Sequence, residues 1–261
     1  MDKPTLDSIL ESFSDAAGPY SEAVVIGGGY APLIYRHYLS HEKNLPEPAA
    51  TFDLDLLIPR KVKVAKVEKE NLGTRLQKAG FAIQRRTLGN PPVESYVKTI
   101  SNLEIEIEFL TDQKSRGQET VVNIEGVSAQ TLSFLEMSLE EAVEFFTING
   151  TRLRVVVPAA WIFHKLLAFG RRIDRAKSDK DLYGIWYVGT ALKKISDQSF
   201  EDLRRLVKQH PSWATAARKS LTEFIAAGTP ETWSSLEAQD PEGRLTKTRF
   251  TDFAERIFEV L

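Results

Sequence analysis

Apolar residues first recur at helical spacing in Thr5 to Ala16, where Leu6, Ile9, Leu10 and Phe13 line one side before Gly18-Pro19 breaks the pattern. Ala23 to Ile26 is a short apolar run that predicts a strand entering three glycines, Gly27-Gly28-Gly29. Tyr30 to Ser40 has helical spacing again, through Leu33, Ile34, His37 and Tyr38, and Glu42 to Ala50 is a polar loop with two prolines. Phe52 to Ile58 alternates as a strand does and stops at Pro59. Val62 to Ala79 predicts a helix, with Gly80 as its cap. Phe81 to Arg85, Ser95 to Ile100 and Leu103 to Leu110 are strands, the last two joined by a tight turn at Thr99 to Asn102. Thr111 to Glu119 is a polar loop. Val143 to Ile148 and Arg152 to Val157 flank Asn149-Gly150, the signal of a two-residue hairpin loop.

Past Pro158 the period changes. Pro158 to Phe169, Asp179 to Leu192, Phe200 to Lys208, Trp213 to Ala226 and Thr251 to Leu261 are all helical in pattern. The fold class is therefore α+β. Residues 1–157 form a mixed sheet flanked by helices, and residues 158–261 form a helical bundle. Neither an internal repeat nor a low-complexity tract interrupts this division.

Composition narrows the chemistry. The chain has 261 residues, 42% hydrophobic and 27% charged, which is enough to bury a sizeable core. A net charge of −2 lacks the basic excess of a large nucleic-acid footprint. Without cysteine there are neither disulfides nor thiolate metal sites, and only four histidines occur, of which His37 and His41 alone fall at His-x-x-x-His spacing. A catalytic metal would then be held mainly by oxygen, which points to Mg²⁺ or Mn²⁺. The N-terminus lacks a signal-type apolar core, and no apolar run is long enough to span a bilayer. The expectation is a cytoplasmic protein without a membrane partner.

Two motifs stand out. In Phe52-Asp53-Leu54-Asp55-Leu56, alternation puts Asp53 and Asp55 on one face, where two carboxylates repel unless a cation lies between them. Asp-x-Asp on its own is equally the solvated face of an ordinary strand. The glycine turn lets backbone approach a phosphate closely, and a helix follows it. It is neither a P-loop nor a completed dinucleotide fingerprint. A third acidic source is Leu103 to Leu110, where Glu104, Glu106 and Glu108 share a face.

The order of strand, Gly-Gly turn, helix, Asp-x-Asp strand and later acidic strand resembles the polymerase-β-like nucleotidyltransferase superfamily. Downstream, Val155-Val156-Val157-Pro158, His164-Lys165-Leu166-Leu167, Arg171-Arg172, Lys177 and Lys180-Asp181-Leu182 resemble a bacterial branch that includes AbiEii-type toxins. The likeness covers roughly residues 20 to 190. It implies that three carboxylates, Asp53, Asp55 and Glu108, hold two metal ions. Glu108 is preferred over Glu106 because Glu108-Phe109-Leu110-Thr111 matches the branch's third-strand pattern. Two positions depart from the family. Gly29 stands where Ser or Thr usually follows Gly-Gly, and the third acid is Glu where the family usually has Asp.

Lys165 lies in an apolar helix, where a basic residue often only reaches for water; the resemblance implies that it answers charge on the triphosphate. Asp181 would orient Lys165 or an arginine, and both are implied site residues. Gly27, Gly28, Gly29, Arg172, Lys177 and Lys180 are expected to bind nucleotide. His37 and His164 read as packed or surface histidines. Tyr183, Trp186 and Tyr187 read as core rather than as a base-stacking platform. The implied activity moves a nucleoside monophosphate from an NTP to an acceptor hydroxyl of tRNA, protein or a small molecule, and the toxin branch implies an antitoxin-like partner. The departures at Gly29 and Glu108 keep a second reading open, a nucleotide-binding protein without turnover that acts through a partner protein.

Overall fold

The computed structural model describes the chain except residues 41, 43, 50, 65–68, 88–91 and 115–118. It divides into two compact units: Met1–Ala31 with Ala50–Val156, and Pro32–Ala49 with Val157–Leu261.

The first unit is built on a mixed sheet. Its strands are β1 (Val25–Ile26), β2 (Asp53–Leu57), β3 (Ala82–Arg85), β4 (Glu94–Ile100), β5 (Leu103–Asp112), β6 (Val121–Ile124), β7 (Val127–Leu132), β8 (Ala142–Phe146) and β9 (Arg152–Val156). The main path runs β3-β4-β5-β2-β1-β9-β8, with β7 continuing along β5 and β6 paired to β7. β2 and β5 are parallel, whereas β1 and β2 are antiparallel. The alternation in β5 explains its central place. Ile105, Ile107 and Phe109 are buried, each worth about 1.5–3 kcal/mol of burial, and the glutamates between them occupy the other face. Phe109 meets Tyr96 edge to face, with ring centroids 5.8 Å apart.

Helix α1 (Lys3–Ala17) buries Leu6, Ile9, Leu10 and Phe13, as its spacing predicts, and Asp2 caps it by accepting from the Thr5 N–H. The tip of the β8–β9 hairpin is tied to α1: Ile148 N–H donates to Asp7 Oδ1 at 3.0 Å, and Asn149 Nδ2 donates to Glu11 Oε2 at 2.7 Å. That hairpin has a three-residue loop rather than two. Thr147 pairs with Thr151, and Gly150, at φ +81°, takes the left-handed place that closes such a loop. The β4–β5 turn is tight as expected, with Ser101 and Asn102 both at positive φ.

Several expected bounds shift. The helix predicted over Val62 to Ala79 is α3 (Leu72–Lys78), started by the Asn71 side chain accepting from the Thr74 N–H. Residues 62–64 and 69–71 are not helical, and 65–68 lie outside the described residues. Gly80 does follow α3, at φ +88°. Thr111 and Asp112 belong to β5 rather than to a loop, because β7 pairs with them. Asp112 is polar but not idle: its Oδ1 accepts from the Glu136 N–H in α4 (Leu135–Glu140). The rest of that expected loop includes 115–118, and the polar loop expected over Glu42 to Ala50 includes 43 and 50, which lie outside the described residues; its described residues are neither helix nor strand.

After the glycines, α2 (Tyr30–Ile34) is short and passes into a single π-helical turn, Tyr35–Leu39, so the helix expected to Ser40 is not regular α-helix. In the second unit, α5 (Pro158–Ala168) packs on α6 (Arg175–Thr190), α7 (Lys193–Gln209) and α8 (Pro211–Ala227). α6 also packs on α9 (Pro230–Glu237) and α10 (Lys247–Phe258). α6 begins earlier than its apolar pattern predicts, because Asp174 Oδ1 accepts from the Ala176 and Lys177 N–H groups. Tyr183, Trp186 and Tyr187 are buried core residues, as expected. The Tyr187 hydroxyl donates to Pro46 O at 2.8 Å, and Tyr183 donates to Glu47 O at 3.2 Å. No helix among the described residues is long and apolar enough to cross a membrane.

Gly73, in the first turn of α3, lies so close to Gly126 that a β-carbon there would overlap the Gly126 carbonyl oxygen. Backbone cannot swing aside as a side chain can. Gly73→Ala should therefore cost about 2 kcal/mol and lower the melting temperature by about 4–8 °C in calorimetry. An unchanged melting temperature would show that the two segments do not pack this closely.

Candidate active site

The site begins with the way β2 sits between β1 and β5. The parallel register sets Asp53 opposite Glu106 and Asp55 opposite Glu108, so four carboxylates share one face of two neighbouring strands. Asp53 is exposed and Asp55, Glu106 and Glu108 are half-buried, while Leu54, Ile105 and Ile107 fill the other side. Phe52, expected on that apolar side, is exposed. Ser95 of β4 stands opposite Glu108 and is fully buried. Glu106 is already engaged: Arg86 Nε donates to its Oε1 at 2.7 Å, and an Arg86 terminal nitrogen pairs with Oε2.

The glycine turn abuts this face. Gly27 N–H donates to Asp55 O at 2.9 Å, and Gly27 O accepts from Ala31 N–H at 3.2 Å. Gly28 has φ +51°, the left-handed region that favours glycine, and a β-carbon there would overlap Asp55 Oδ2. The backbone thus passes directly against a carboxylate. At Gly29 a β-carbon would meet the Thr51 side chain, 2.7 Å from Oγ1. The helix that follows is only five residues long, so its macrodipole contributes little.

Tyr30 follows the turn. Its ring is fully buried, and its hydroxyl is buried without a hydrogen-bond partner among the described residues. Burial first, and then the negative charge of Asp53, pushes the phenol above its ordinary pKa, so it remains a protonated donor. Neither Tyr30 nor Thr51 belongs to a sequence motif. The only signal was adjacency: Tyr30 follows the glycines, and Thr51 lies two positions before Asp53.

A divalent metal ion is the cofactor that the resemblance implies. The donor set is all oxygen, which suits a hard cation. Among the described residues, no group of three or more His, Cys, Asp or Glu side chains is arranged to hold an ion. The residues fit the mode in which Asp53 and Asp55 contribute the carboxylates and substrate oxygens complete the shell. The unpartnered Tyr30 hydroxyl beside Asp53 is consistent with a ligand there.

In the second unit, Lys165, Arg172 and Asp181 come together. Lys165 Nζ donates to Asp181 Oδ1 at 2.5 Å, and Arg172 Nε donates to Oδ2 at 2.9 Å. Lys165 also lies over the Trp161 ring, 5.5 Å from its centroid. Asp181 falls in the second turn of α6 rather than at its opening, and Arg172 follows a 3-10 turn, Phe169–Arg171, that closes α5. Burial would raise the Asp181 pKa, but Lys165 and Arg172 outweigh it and hold the carboxyl below its ordinary value. Lys177 is exposed in the first turn of α6, and Lys180 is half-buried one turn on. His37 Nε2 lies 3.0 Å from an Arg36 nitrogen, and His164 is half-buried.

A strand, a glycine turn and a short helix thus lie beside paired strand carboxylates, and the class of protein follows from the family match. A family model described as nucleotidyltransferase matches residues 6–209, and the chain belongs to that family, which acts on NTP substrates. No curated protein matches the chain. A crystal structure of an antigenic nucleotidyltransferase-like protein from Paracoccidioides brasiliensis is 17% identical, with TM-score 0.41, covering 84% of this chain and 94% of that one.

The Asp181 cluster predicts an acid response. A carboxylate with a lowered folded pKa contributes stability in full above its unfolded pKa of about 4. That contribution is lost as pH falls below this, through the folded value. The wild-type melting temperature should fall more steeply than that of Asp181→Asn between about pH 5 and pH 2. At neutral pH, Asp181→Ala should cost about 3 kcal/mol by leaving two cations without their counter-charge. Parallel pH curves for wild type and Asp181→Asn would contradict the ion pairing.

Proposed function

We propose that the chain transfers a nucleoside monophosphate from an NTP to an acceptor hydroxyl, with Mg²⁺ or Mn²⁺ as cofactor. The observation that carries this reading is the glycine turn lying directly against Asp55, on the strand face that Asp55 shares with Asp53. Asp53 and Asp55 would hold the cation, which when bound neutralises phosphate charge and acidifies a coordinated hydroxyl. The turn at Gly27 to Gly29 brings backbone, without side chains, to the phosphates. Glu108, the register neighbour of Asp55, is assigned as additional ligand or as acceptor of the hydroxyl proton. Glu106 has the same orientation and pairs with Arg86, and the match of Glu108-Phe109-Leu110-Thr111 to the third-strand pattern supports Glu108 for that role. The acceptor oxygen bonds to the α-phosphorus, the bond from that phosphorus to the bridging oxygen breaks, and pyrophosphate leaves. An RNA, a protein side chain and a small molecule all offer the required hydroxyl, and toxin-like action on any of them belongs to this proposal.

Pyrophosphate release from each NTP with Mg²⁺, in cell extract that supplies acceptors, tests the assignment. Asp53→Asn and Asp55→Asn should each lower the rate by at least about a hundredfold, the scale of losing one charge-stabilising group. Chelation of the metal should have the same effect. Glu108→Gln should lose far more than Glu106→Gln. Turnover retained in the Asp53 or Asp55 variants would sink the proposal, and equal losses at Glu106 and Glu108 would remove Glu108 from its role.

A further inference from the structure

The backbone at Gly29 lies outside the left-handed region, so its conformation does not by itself require glycine. What excludes a side chain there is Thr51. A β-carbon built on Gly29 would lie 2.7 Å from Thr51 Oγ1, 2.8 Å from Cβ and 2.9 Å from Cγ2. The Thr51 side chain therefore fills the volume into which a side chain at position 29 would project. Thr51 is only 7% exposed, and it lies two residues before Asp53, just ahead of β2. Its contact is with Gly29, the residue that follows Gly28, which meets Asp55. Next along the chain is Tyr30, whose buried hydroxyl lacks a partner among the described residues and lies near enough to Asp53 to feel its charge. An orphaned donor beside this turn points to a ligand oxygen that is supplied from outside the chain.

We infer that Thr51 is a nucleotide-binding residue: its hydroxyl, packed against Gly29, donates to a phosphate oxygen at the turn. This rests on the nucleotide-binding reading above. A hydroxyl suits the position better than a cation, because a lysine or arginine beside Asp53 and Asp55 would pair with those carboxylates instead of the phosphate. The contact also makes positions 29 and 51 reciprocal. One of them carries the side chain and the other must be glycine. Replacing Thr51 by alanine would not make room at 29, since the Thr51 β-carbon is itself 2.8 Å from the built atom.

The test uses the full chain, Mg²⁺ and an α,β-methylene NTP analogue, with affinity measured by calorimetry and folding by thermal melting. Thr51→Val keeps the shape and removes the donor. It should weaken binding about ten- to a hundredfold, the range for a lost hydrogen bond to a charged group, with little change in melting temperature. Gly29→Ser alone should lower the melting temperature, because its side chain collides with Thr51. Combining Gly29→Ser with Thr51→Gly should remove the collision and return a hydroxyl from the other side. The double variant should then bind within about threefold of wild type and clearly tighter than Thr51→Gly alone. Wild-type affinity in Thr51→Val, or a double variant no tighter than Thr51→Gly, overturns the role of Thr51 while leaving the nucleotide reading intact. A wild-type chain that does not bind the analogue overturns the reading itself, and this inference with it.

Discussion

The contact on which the first unit's site depends is the one between Gly28 and Asp55. A single added carbon at Gly28 would overlap the carboxylate, and the backbone there takes a conformation that side chains resist. The adjacent hydrogen bond from Gly27 to Asp55 O fixes β1 against β2 at the same point. Everything proposed for the site follows from this closeness. Phosphate that approaches the turn also approaches Asp55, and through the register of β2 and β5 it approaches Glu108.

Four acidic side chains on one face are a destabilising arrangement unless something offsets them. The structure deals with the residues separately. Arg86 takes Glu106, and Asp53 is left in contact with water. Asp55 and Glu108 sit deeper, where a cation would interact with them more strongly than at the surface. A helix dipole adds little, because the segment after the turn has only five α-helical residues before it widens into a π turn. What the turn offers to a ligand is therefore close backbone, carboxylates and neighbouring hydroxyls.

The parts visible in the sequence are those set by local period. The alternation of β2 and β5 revealed which acids share a face, and the apolar spacing of α1 and α5 gave those helices nearly to their ends. What stayed hidden depends on packing between distant segments. Thr51 matters because it touches Gly29, and Tyr30 because it is buried beside Asp53. No period encodes either. Caps moved helix starts in both directions, with Asn71 delaying α3 and Asp174 advancing α6 into a charged stretch without apolar pattern. Asp181 was legible as a partner for Lys165 or an arginine, but not as the partner of both.

Nucleotidyl transfer and phosphoryl transfer differ in which phosphate of the NTP reaches the acceptor, and an isotope label reports which one does. The chain should be incubated with Mg²⁺ and cell extract, once with NTP labelled at the α-phosphate and once with label at the γ-phosphate. The α-label should appear in an acceptor and the γ-label only in released pyrophosphate, with both lost in Asp55→Asn. Transfer of γ-label to the acceptor, or of neither label with any NTP, would contradict it.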